Sequence, residues 1–285
     1  MTAPPRLLSG IGEVADRYDG YLLDLWGTIH DGYRPLPGVL DAMTALKDRG
    51  KRILIISNAP RRNDAVIERM DAIGIPGGLY DAVLSSGEAA HRALRDRADP
   101  VHAALGRACY HLGPARDDSA LIGLDIDLVD DVAAADFILN TGLDKAEETV
   151  ADYEPVLSAG ADRGVTMICA NPDLVVLRGD VRELCAGALA VRYTELGGPV
   201  IYHGKPHAPI YATAFDLLGI TDRDRLVAVG DSLRTDIAGA RAAGIASVLV
   251  LGGIHALEAG DADGLARLCA EAGAIPDYTL PGFTW

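Results

Sequence analysis

Four polar side chains with complementary chemistry each stand at the end of a short apolar run. They are Asp24, Ser57, Lys205 and Asp231. Apolar runs of this length are typical of strands buried in a parallel sheet, and the carboxyl ends of parallel strands meet at one edge of the sheet. We therefore expect the four side chains to converge on one crevice. An aspartate close to a glycine is also ordinary turn chemistry, so the run around Asp24 alone leaves both interpretations open.

Two carboxylates and a lysine at one crevice would form a site for a metal ion and an anion. Asp24 and Asp231 offer the hard oxygen ligands that Mg²⁺ prefers, and Mg²⁺ takes much of its shell from water and substrate phosphate. Lys205, the Ser57 hydroxyl and the N–H groups of the following helix would neutralise and orient phosphate oxygens. The Asp24 carboxylate would then be free to attack phosphorus.

Predicted strands and helices alternate along the first part of the chain. In order, they are the strand 21–24, the helix 36–49, the strand 51–56, the helix 66–73 and the strand 80–84. Ser86 is then predicted to cap the next helix. This alternation predicts an α/β fold with a parallel sheet and right-handed crossovers.

The same alternation continues from position 99 to 198 but changes in character. Strands are predicted at 109–112, 124–129, 136–139 and 165–170, with helices at 146–163 and 180–196. This is enough material for a second, smaller α/β domain. We therefore expect residues 1–98 and 199–285 to form a discontinuous core domain and residues 99–198 to form an inserted domain.

The composition is that of a globular protein without a strongly basic surface. The chain has 285 residues, of which 49% are hydrophobic and 24% charged, and its formal net charge is −15. Such an acidic balance disfavours non-specific binding to nucleic acid or to anionic membranes. The longest apolar stretches have the length of a strand, and the first 20 residues contain no apolar segment typical of a secretory signal.

The four cysteines indicate a reducing compartment. Cys109, Cys169, Cys185 and Cys269 are far apart and lie in apolar surroundings. Their spacing argues against a zinc knuckle or a redox pair, so we expect buried thiols. Together with the absence of a signal segment, this predicts a cytoplasmic protein without a nucleic-acid or membrane partner. A homodimer is left open.

Four sequence motifs, each after an apolar run, resemble the haloacid dehalogenase superfamily of hydrolases that use an aspartate nucleophile. The motifs are Asp24-Leu25-Trp26-Gly27-Thr28, Ser57-Asn58, Gly204-Lys205-Pro206 and Gly230-Asp231-Ser232-Leu233-Arg234-Thr235-Asp236. The insertion between the second and third motifs is similar to the α/β cap of the NagD-type sugar phosphatases and pyridoxal phosphate phosphatases. The resemblance implies a Rossmann-like, doubly wound parallel-sheet core with an inserted α/β cap domain.

This resemblance implies a two-step phosphoryl transfer from a small phosphorylated metabolite, through an aspartyl-phosphate on the nucleophile. The implied catalytic residues are Asp24, Ser57 and Lys205. The implied Mg²⁺ ligands are Asp24, the main-chain carbonyl of Trp26 and Asp231, with Asp236 close by. The implied substrate-binding residues are Thr28 and Asn58, with Asn171 and Asp173 in the loop that would descend from the cap. Asn58 would act mainly through its backbone, or as a plain helix cap.

Trp26 departs from the family pattern. Phosphatases of the family usually carry at this position a second aspartate, which protonates the leaving group and later deprotonates water. An indole cannot do so, and general acid–base catalysis contributes about 10²–10⁴-fold. We therefore expect slow turnover of esters with poor leaving groups unless His30 or Asp31 substitutes. The Asp31-Gly32 pair is more typical of a loop or turn.

Two function classes remain open from the sequence. The first is a Mg²⁺-dependent phosphatase of a small phosphorylated metabolite, which the nucleophile and Lys205 favour. The second is a protein that binds or senses a phosphometabolite with little turnover, which Trp26 favours. Arg61 and Arg62, which follow the second motif, would face an acidic substrate or lie in a solvated helical turn.

Overall fold

The computed structural model describes residues 5–178, 181–254 and 262–285. The strands in chain order are β1 (Arg6–Leu7), β2 (Gly20–Leu23), β3 (Arg52–Ser57), β4 (Ala82–Ser85), β5 (Ala108–Leu112), β6 (Asp127–Leu128), β7 (Phe137–Asn140), β8 (Thr166–Cys169), β9 (Val175–Arg178), β10 (Val181–Leu184), β11 (Val200–Tyr202), β12 (Leu226–Gly230), β13 (Ala246–Val250) and β14 (Tyr278–Leu280). The helices in chain order are α1 (Val39–Asp48), α2 (Asn63–Ala72), α3 (Ser86–Asp96), α4 (Pro100–Ala103), α5 (Glu154–Asp162), α6 (Ala186–Glu195), α7 (Ala208–Leu218), α8 (Ala238–Ala243) and α9 (Ala262–Ala272).

Seven of the described strands form one parallel sheet. Their order is β1-β14-β13-β12-β2-β3-β4. The strand β2 lies in the interior of this sheet, hydrogen-bonded in parallel to β12 on one side and to β3 on the other. The α/β fold class with a parallel core sheet, expected from the sequence, is confirmed.

The sequence of β2 is apolar at every position after its glycine because both faces of this sheet are covered. Tyr21 and Leu23 pack into one buried cluster together with residues of α1 and α2. Leu22 points to the other face and packs with residues of α7 and α8. Successive side chains of a strand point to opposite faces, so a strand covered on both sides has no place for a polar residue.

Five other described strands form a second parallel sheet, in the order β11-β8-β7-β5-β6. Helices α5 and α6 cover one face, where Leu157 and Leu189 pack against Met167. Helix α3 contributes Ala90 and Leu94 to the cluster on the other face. This sheet contains the strands that the sequence predicted for an inserted domain.

The strand before Lys205 belongs to this second sheet, which corrects one premise drawn from the sequence. We expected Lys205 to follow a strand of the core sheet, as the other three polar side chains do. Instead β11 pairs in parallel with β8. A three-residue apolar run carries no signal for its pairing partner. The division into core and inserted domain remains a proposal, and this pairing moves its second boundary past Tyr202.

Two local predictions were wrong. The predicted helix 180–196 begins only at Ala186, because the preceding residues form an antiparallel hairpin of β9 and β10; position 180 lies outside the described residues. The cap of α3 is Ser85, whose hydroxyl accepts a hydrogen bond from the Glu88 N–H at 3.1 Å, and not its neighbour Ser86.

The four cysteines are buried and free, as expected from their apolar surroundings. Burial raises the pKa of the Cys109 and Cys169 thiols to about 12. They are therefore protonated at neutral pH and unreactive. Within the described part of the chain, no helix is both long and apolar enough to cross a membrane.

Candidate active site

Three buried aspartates meet at the carboxyl ends of two neighbouring strands. Asp24 follows β2, and its N–H donates to the carbonyl of Val229 in β12 at 2.9 Å. Asp231 follows β12 directly, and Asp236 lies one turn later in a π-helical segment, Leu233–Ile237. One carboxylate oxygen from each of the three lies within 4.8 Å of the others. The convergence predicted for the two carboxylates at adjacent strand ends is therefore observed.

The Lys205 ammonium joins this group despite its origin in the second sheet. Its Nζ lies 2.6 Å from Asp24 Oδ1 and 2.7 Å from Asp236 Oδ1, and the side chain is 2% exposed. We call Asp24, Lys205, Asp231 and Asp236 the charged cluster. At these distances the two ion pairs are also charge-assisted hydrogen bonds, which fix the ammonium between the two carboxylates.

Asn58 holds Lys205 in place through its side chain. Its Oδ1 accepts from the Lys205 N–H at 2.8 Å, and its Nδ2 donates to the Lys205 carbonyl at 3.0 Å and to Asp173 Oδ1 at 2.9 Å. The predicted role through the Asn58 backbone misses these contacts, and the alternative of a helix cap is wrong because Arg62 is the N-cap of α2. Its partners lie 147 and 115 residues away, so no local sequence signal reveals them.

Two glycines permit the close packing around the charged cluster. Gly27 has φ of 72°, and a Cβ at this position would lie 2.0 Å from Asp231 Oδ2. Gly204 has φ of 114°, and its Cβ would lie 2.5 Å from the Asn58 amide oxygen. Any other residue would be strained in the backbone and would also push a functional side chain away.

The charged cluster contains three acidic groups and one basic group. Burial raises the pKa of Asp24 to about 7, with Lys205 opposing the rise and Asp236 adding to it. Burial, followed by the charges of Asp24 and Asp236, also raises the pKa of Asp231 well above its usual value. Burial alone would lower the pKa of Lys205, but the carboxylates of Asp236 and Asp24 raise it, so the lysine is charged.

This donor set fits a Mg²⁺ ion. Three carboxylates share a single ammonium, and the ionisation of Asp24 and Asp231 is disfavoured by their mutual repulsion in a buried place. A divalent cation would remove that repulsion, and carboxylate oxygens are the ligands that Mg²⁺ prefers. The role predicted for the Trp26 carbonyl as a further ligand stays a prediction.

A cavity of about 200 Å³ opens onto the charged cluster. Its lining includes the predicted residues Ser57, Asn171 and Asp173. The Ser57 hydroxyl accepts a hydrogen bond from the Ala59 N–H at 3.2 Å. Asn171 Oδ1 accepts a hydrogen bond from the Asp173 N–H at 3.0 Å, as in the predicted turn. The residues of this turn also line the cavity. Their roles toward a substrate stay predictions.

Thr28 is not among the residues that line this cavity. It is completely buried, and within the described part of the chain its hydroxyl has no hydrogen-bond partner. The geometry therefore gives no support to the predicted contact between the Thr28 hydroxyl and the phosphoryl group.

Part of the cavity is lined by six apolar side chains, of which only Trp26 belongs to one of the four motifs. We call these six residues the apolar wall: Trp26, Val66, Met70, Leu143, Val176 and Leu177. The last two belong to the hairpin of β9 and β10, which the sequence reasoning missed. The available sequence signal was a Gly-Asp pair at positions 179–180 between two short segments that contain valine and leucine, a pattern typical of two strands joined by a tight turn.

The two arginines after the second motif pair with carboxylates of the protein. Arg61 forms an ion pair with Asp117, and Arg62 forms one with Glu88. Arg61 and Asp117 line the cavity, whereas Arg62 also bonds through its N–H to the Ser119 hydroxyl at 3.2 Å. Arg61 therefore lies where a substrate would bind, although it already has a carboxylate partner, and a contact of either arginine with a substrate stays a prediction.

Comparisons with known proteins place this site in a family. A model of the haloacid dehalogenase-like hydrolases matches residues 21–127, and a second, HAD-hydrolase-like model matches residues 202–274. The structure of a haloacid dehalogenase-like family hydrolase from Brucella suis 1330 is 32% identical with a TM-score of 0.84, covering 97% of this chain and 100% of that chain. The 4-nitrophenylphosphatase of Schizosaccharomyces pombe is 26% identical, covering 93% of this chain and 92% of that protein. The acid sugar phosphatase of Staphylococcus aureus is 25% identical, covering 85% and 90%.

The chain therefore belongs to the haloacid dehalogenase-like hydrolases, as its four motifs predicted. The relatives from Schizosaccharomyces pombe and Staphylococcus aureus are named as phosphatases, which confirms the expected class of phosphoric monoester hydrolases and the placement in the NagD-like branch. Their names differ in the ester that is cleaved, so similarity alone does not select a substrate.

Proposed function

We propose that this protein is a Mg²⁺-dependent phosphatase of a small phosphorylated metabolite, and that it works through an aspartyl-phosphate on Asp24. The observation that carries the proposal is the Lys205 ammonium, which lies between Asp24 and Asp236 and lines the cavity. A lysine held at this point supplies a fixed positive charge where a phosphoryl group would meet the nucleophile. A purely structural ion pair would not require three aspartates around one cation.

In the proposed first step, an Asp24 carboxylate oxygen attacks phosphorus. The bond from phosphorus to the ester oxygen breaks, and its electron pair leaves with that oxygen. Lys205 and the Ser57 hydroxyl orient the phosphoryl oxygens, while Asn58 keeps Lys205 in position. In the second step, water attacks phosphorus, releases inorganic phosphate and restores the Asp24 carboxylate.

Bound Mg²⁺ would offset the repulsion between the Asp24 carboxylate and the phosphate dianion. Asp24, Asp231 and the Trp26 carbonyl would hold it, with Asp236 close by. Asn171 and Asp173 would contact the substrate from the loop above the cavity. We propose a cytoplasmic location because the four cysteines are buried free thiols. We expect no nucleic-acid or membrane partner because the net charge is −15.

The second candidate function is a phosphometabolite-binding or regulatory protein with little turnover. One observation favours it, namely that Trp26 stands where the family pattern has an acid–base aspartate. The two candidates differ in one measurable property, which is turnover of an ester whose leaving group needs no acid.

The test is phosphate release from p-nitrophenyl phosphate in the presence of Mg²⁺, by the wild type and by Asp24→Asn. Asparagine is nearly isosteric but a poor nucleophile, so we expect activity in the wild type and a loss of about 10³-fold or more in the variant. Asp216→Asn, an exposed change on α7, is the matched control and should be fully active. A wild type without turnover would favour the binding protein, and a variant that keeps more than a tenth of the activity would exclude covalent chemistry at Asp24.

A further inference from the structure

Trp26 lines the cavity, and its ring is packed against its own loop. Its ring meets the His30 imidazole edge to face, with 4.9 Å between ring centroids and 75° between planes. On the other side it lies against Gly32, where a Cβ would come within 2.5 Å of the indole Cζ3 and 2.6 Å of Cη2. Only a glycine leaves room for the ring there. The indole is thus held in one orientation by its own loop and does not depend on a substrate for its position.

Other apolar residues line the same cavity as Trp26. Val66 and Met70 come from α2, and Val176 and Leu177 come from the hairpin of β9 and β10. A substrate bound with its phosphoryl group at the charged cluster would share the cavity with this apolar wall. An ester group rich in hydroxyls would lose hydrogen bonds to water against such side chains, whereas an aromatic ring would gain contact area with the indole.

The lack of an acidic group on Trp26 also favours aryl over alkyl leaving groups. A phenolic oxygen has a pKa of about 10, as in tyrosine, so it can leave phosphorus as the anion. An alkyl alcohol is a far weaker acid and needs a proton from a side chain at the moment of cleavage. The tryptophan therefore offers no proton at this position for an alkyl ester and adds a surface that an aryl ester can use.

We propose that Trp26 is the specificity-determining residue of this site and that the natural substrates are phosphate monoesters of planar, weakly acidic hydroxyl compounds, such as phenols or hydroxylated heteroaromatic rings. This inference rests on the proposed phosphatase function. The Asp24 oxygen bonds to phosphorus, the phosphorus–aryl oxygen bond breaks, and the aryloxide takes its proton from water after it leaves.

The test measures binding, so that it does not depend on turnover. Tryptophan occurs only at positions 26 and 285, so a Trp285→Phe background leaves Trp26 as the single indole fluorophore. In the presence of Mg²⁺ this protein is titrated with 4-nitrobenzylphosphonate, with 3,4-dihydroxybutylphosphonate and with inorganic phosphate, and affinities are measured by calorimetry. We expect the nitrobenzyl compound to quench Trp26 and to bind about tenfold more tightly than the dihydroxybutyl compound.

Three variants in wild-type protein connect this preference to the indole. Trp26→Ala should lose about tenfold in affinity for the nitrobenzyl compound and little for the other two ligands, while Trp26→Phe, which keeps an aromatic ring, should retain most of the preference. Tyr33→Ala is the matched control, because Tyr33 is an aromatic residue of the same loop but is 61% exposed. Its affinities should equal those of the wild type.

Two results would overturn the inference, and they are distinguishable. Equal affinities for the two phosphonates, or quenching and preference that survive in Trp26→Ala, would show that the indole does not select the ester group while phosphate binding still stands. If neither phosphonates nor inorganic phosphate bind, the proposed function fails and the inference fails with it.

Discussion

The charged cluster and the apolar wall are held by different kinds of contact. Lys205 is fixed by two ion pairs and by two hydrogen bonds between its backbone and the Asn58 side chain, one donated by each residue. Trp26 is fixed by packing against Gly32 and His30. Directed contacts define a position to within tenths of an ångström, which phosphoryl transfer requires. Packing contacts define a shape, which can change with one substitution and leave the chemistry intact.

The largest effect is expected from removal of the cation in the charged cluster. Lys205→Met leaves two buried carboxylates without their shared partner, which costs about 3–5 kcal/mol in the free energy of unfolding. Denaturant unfolding with and without Mg²⁺ measures this loss, and Mg²⁺ should restore part of it.

The control for that loss is another lysine with a carboxylate partner in a less buried place. Lys51 lies 3.3 Å from Asp19, whose side chain is 47% exposed, so Lys51→Met should cost about 1 kcal/mol or less. Equal losses in the two variants would mean that the charged cluster has no special electrostatic stress.

A second prediction concerns the proton that Trp26 cannot supply. In Trp26→Asp, turnover of alkyl phosphates should rise by about 10²-fold, because a general acid returns beside the leaving group. The kcat/KM of aryl phosphates, which reports the first step, should not gain, because that step needs no acid and the variant loses the indole surface. The measurement is kcat/KM for both ester types in wild type and variant. An equal fall for both types would show that the missing acid does not limit the wild type.

The contacts of Asp31 decide whether it could replace the acid that is missing at position 26. The sequence left it open as a substitute acid, but its Oδ1 accepts the N–H groups of Tyr33 and Arg34, each at 2.9 Å. These bonds hold the pKa of Asp31 below its usual value, and Asp31 does not line the cavity. It is therefore the turn residue of the alternative interpretation. His30 lines the cavity, and its part in proton transfer stays a prediction.

A third, smaller effect is expected from two asparagine variants, of which one changes the support of Lys205 and the other changes the wall of the cavity. Asn58→Ala removes both bonds to the Lys205 backbone and should lower kcat by about tenfold or more, because misplacement of a charge near the reacting group is costly. Asn171→Ala removes a turn contact in the loop above the cavity and should act mainly on KM. Steady-state kinetics on p-nitrophenyl phosphate measures both. If Asn171→Ala lowers kcat more than Asn58→Ala does, the assignment of Asn58 as the positioning residue of Lys205 is wrong.

The sequence predicted the charged cluster better than the apolar wall, for a physical reason. Asp24 and Asp231 follow strands that are buried on both faces. Such strands are recognisable in a sequence because they are unbroken apolar runs. The strands β9 and β10 are short and partly exposed, so their pattern of apolar residues is weak. For this reason part of this segment was assigned to the beginning of α6 in the prediction from sequence. The sheet to which β11 belongs was also not predictable, because pairing depends on residues that are distant in sequence.

The side-chain roles of Asn58 and Trp26 were beyond local patterns as well. Asn58 acts on a residue 147 positions away. The orientation of the indole depends on the absence of a side chain at Gly32, which a sequence pattern records only as a turn. In both cases the residue type was noticed, but its partner was visible only in three dimensions.

The central claim is that Asp24 becomes phosphorylated. It can be tested directly, because Trp26 cannot act as the base that hydrolysis of the intermediate requires. Without an acid–base residue at position 26, hydrolysis of the aspartyl-phosphate should be slower than its formation from an aryl ester, so the intermediate should accumulate. Wild-type protein with Mg²⁺ and p-nitrophenyl phosphate is quenched in acid at short times and digested, and its peptides are weighed by mass spectrometry. We expect a burst of p-nitrophenol close to one equivalent of protein and one added phosphoryl group on the peptide that contains Asp24. Continued turnover with that peptide unmodified and no burst would contradict the account.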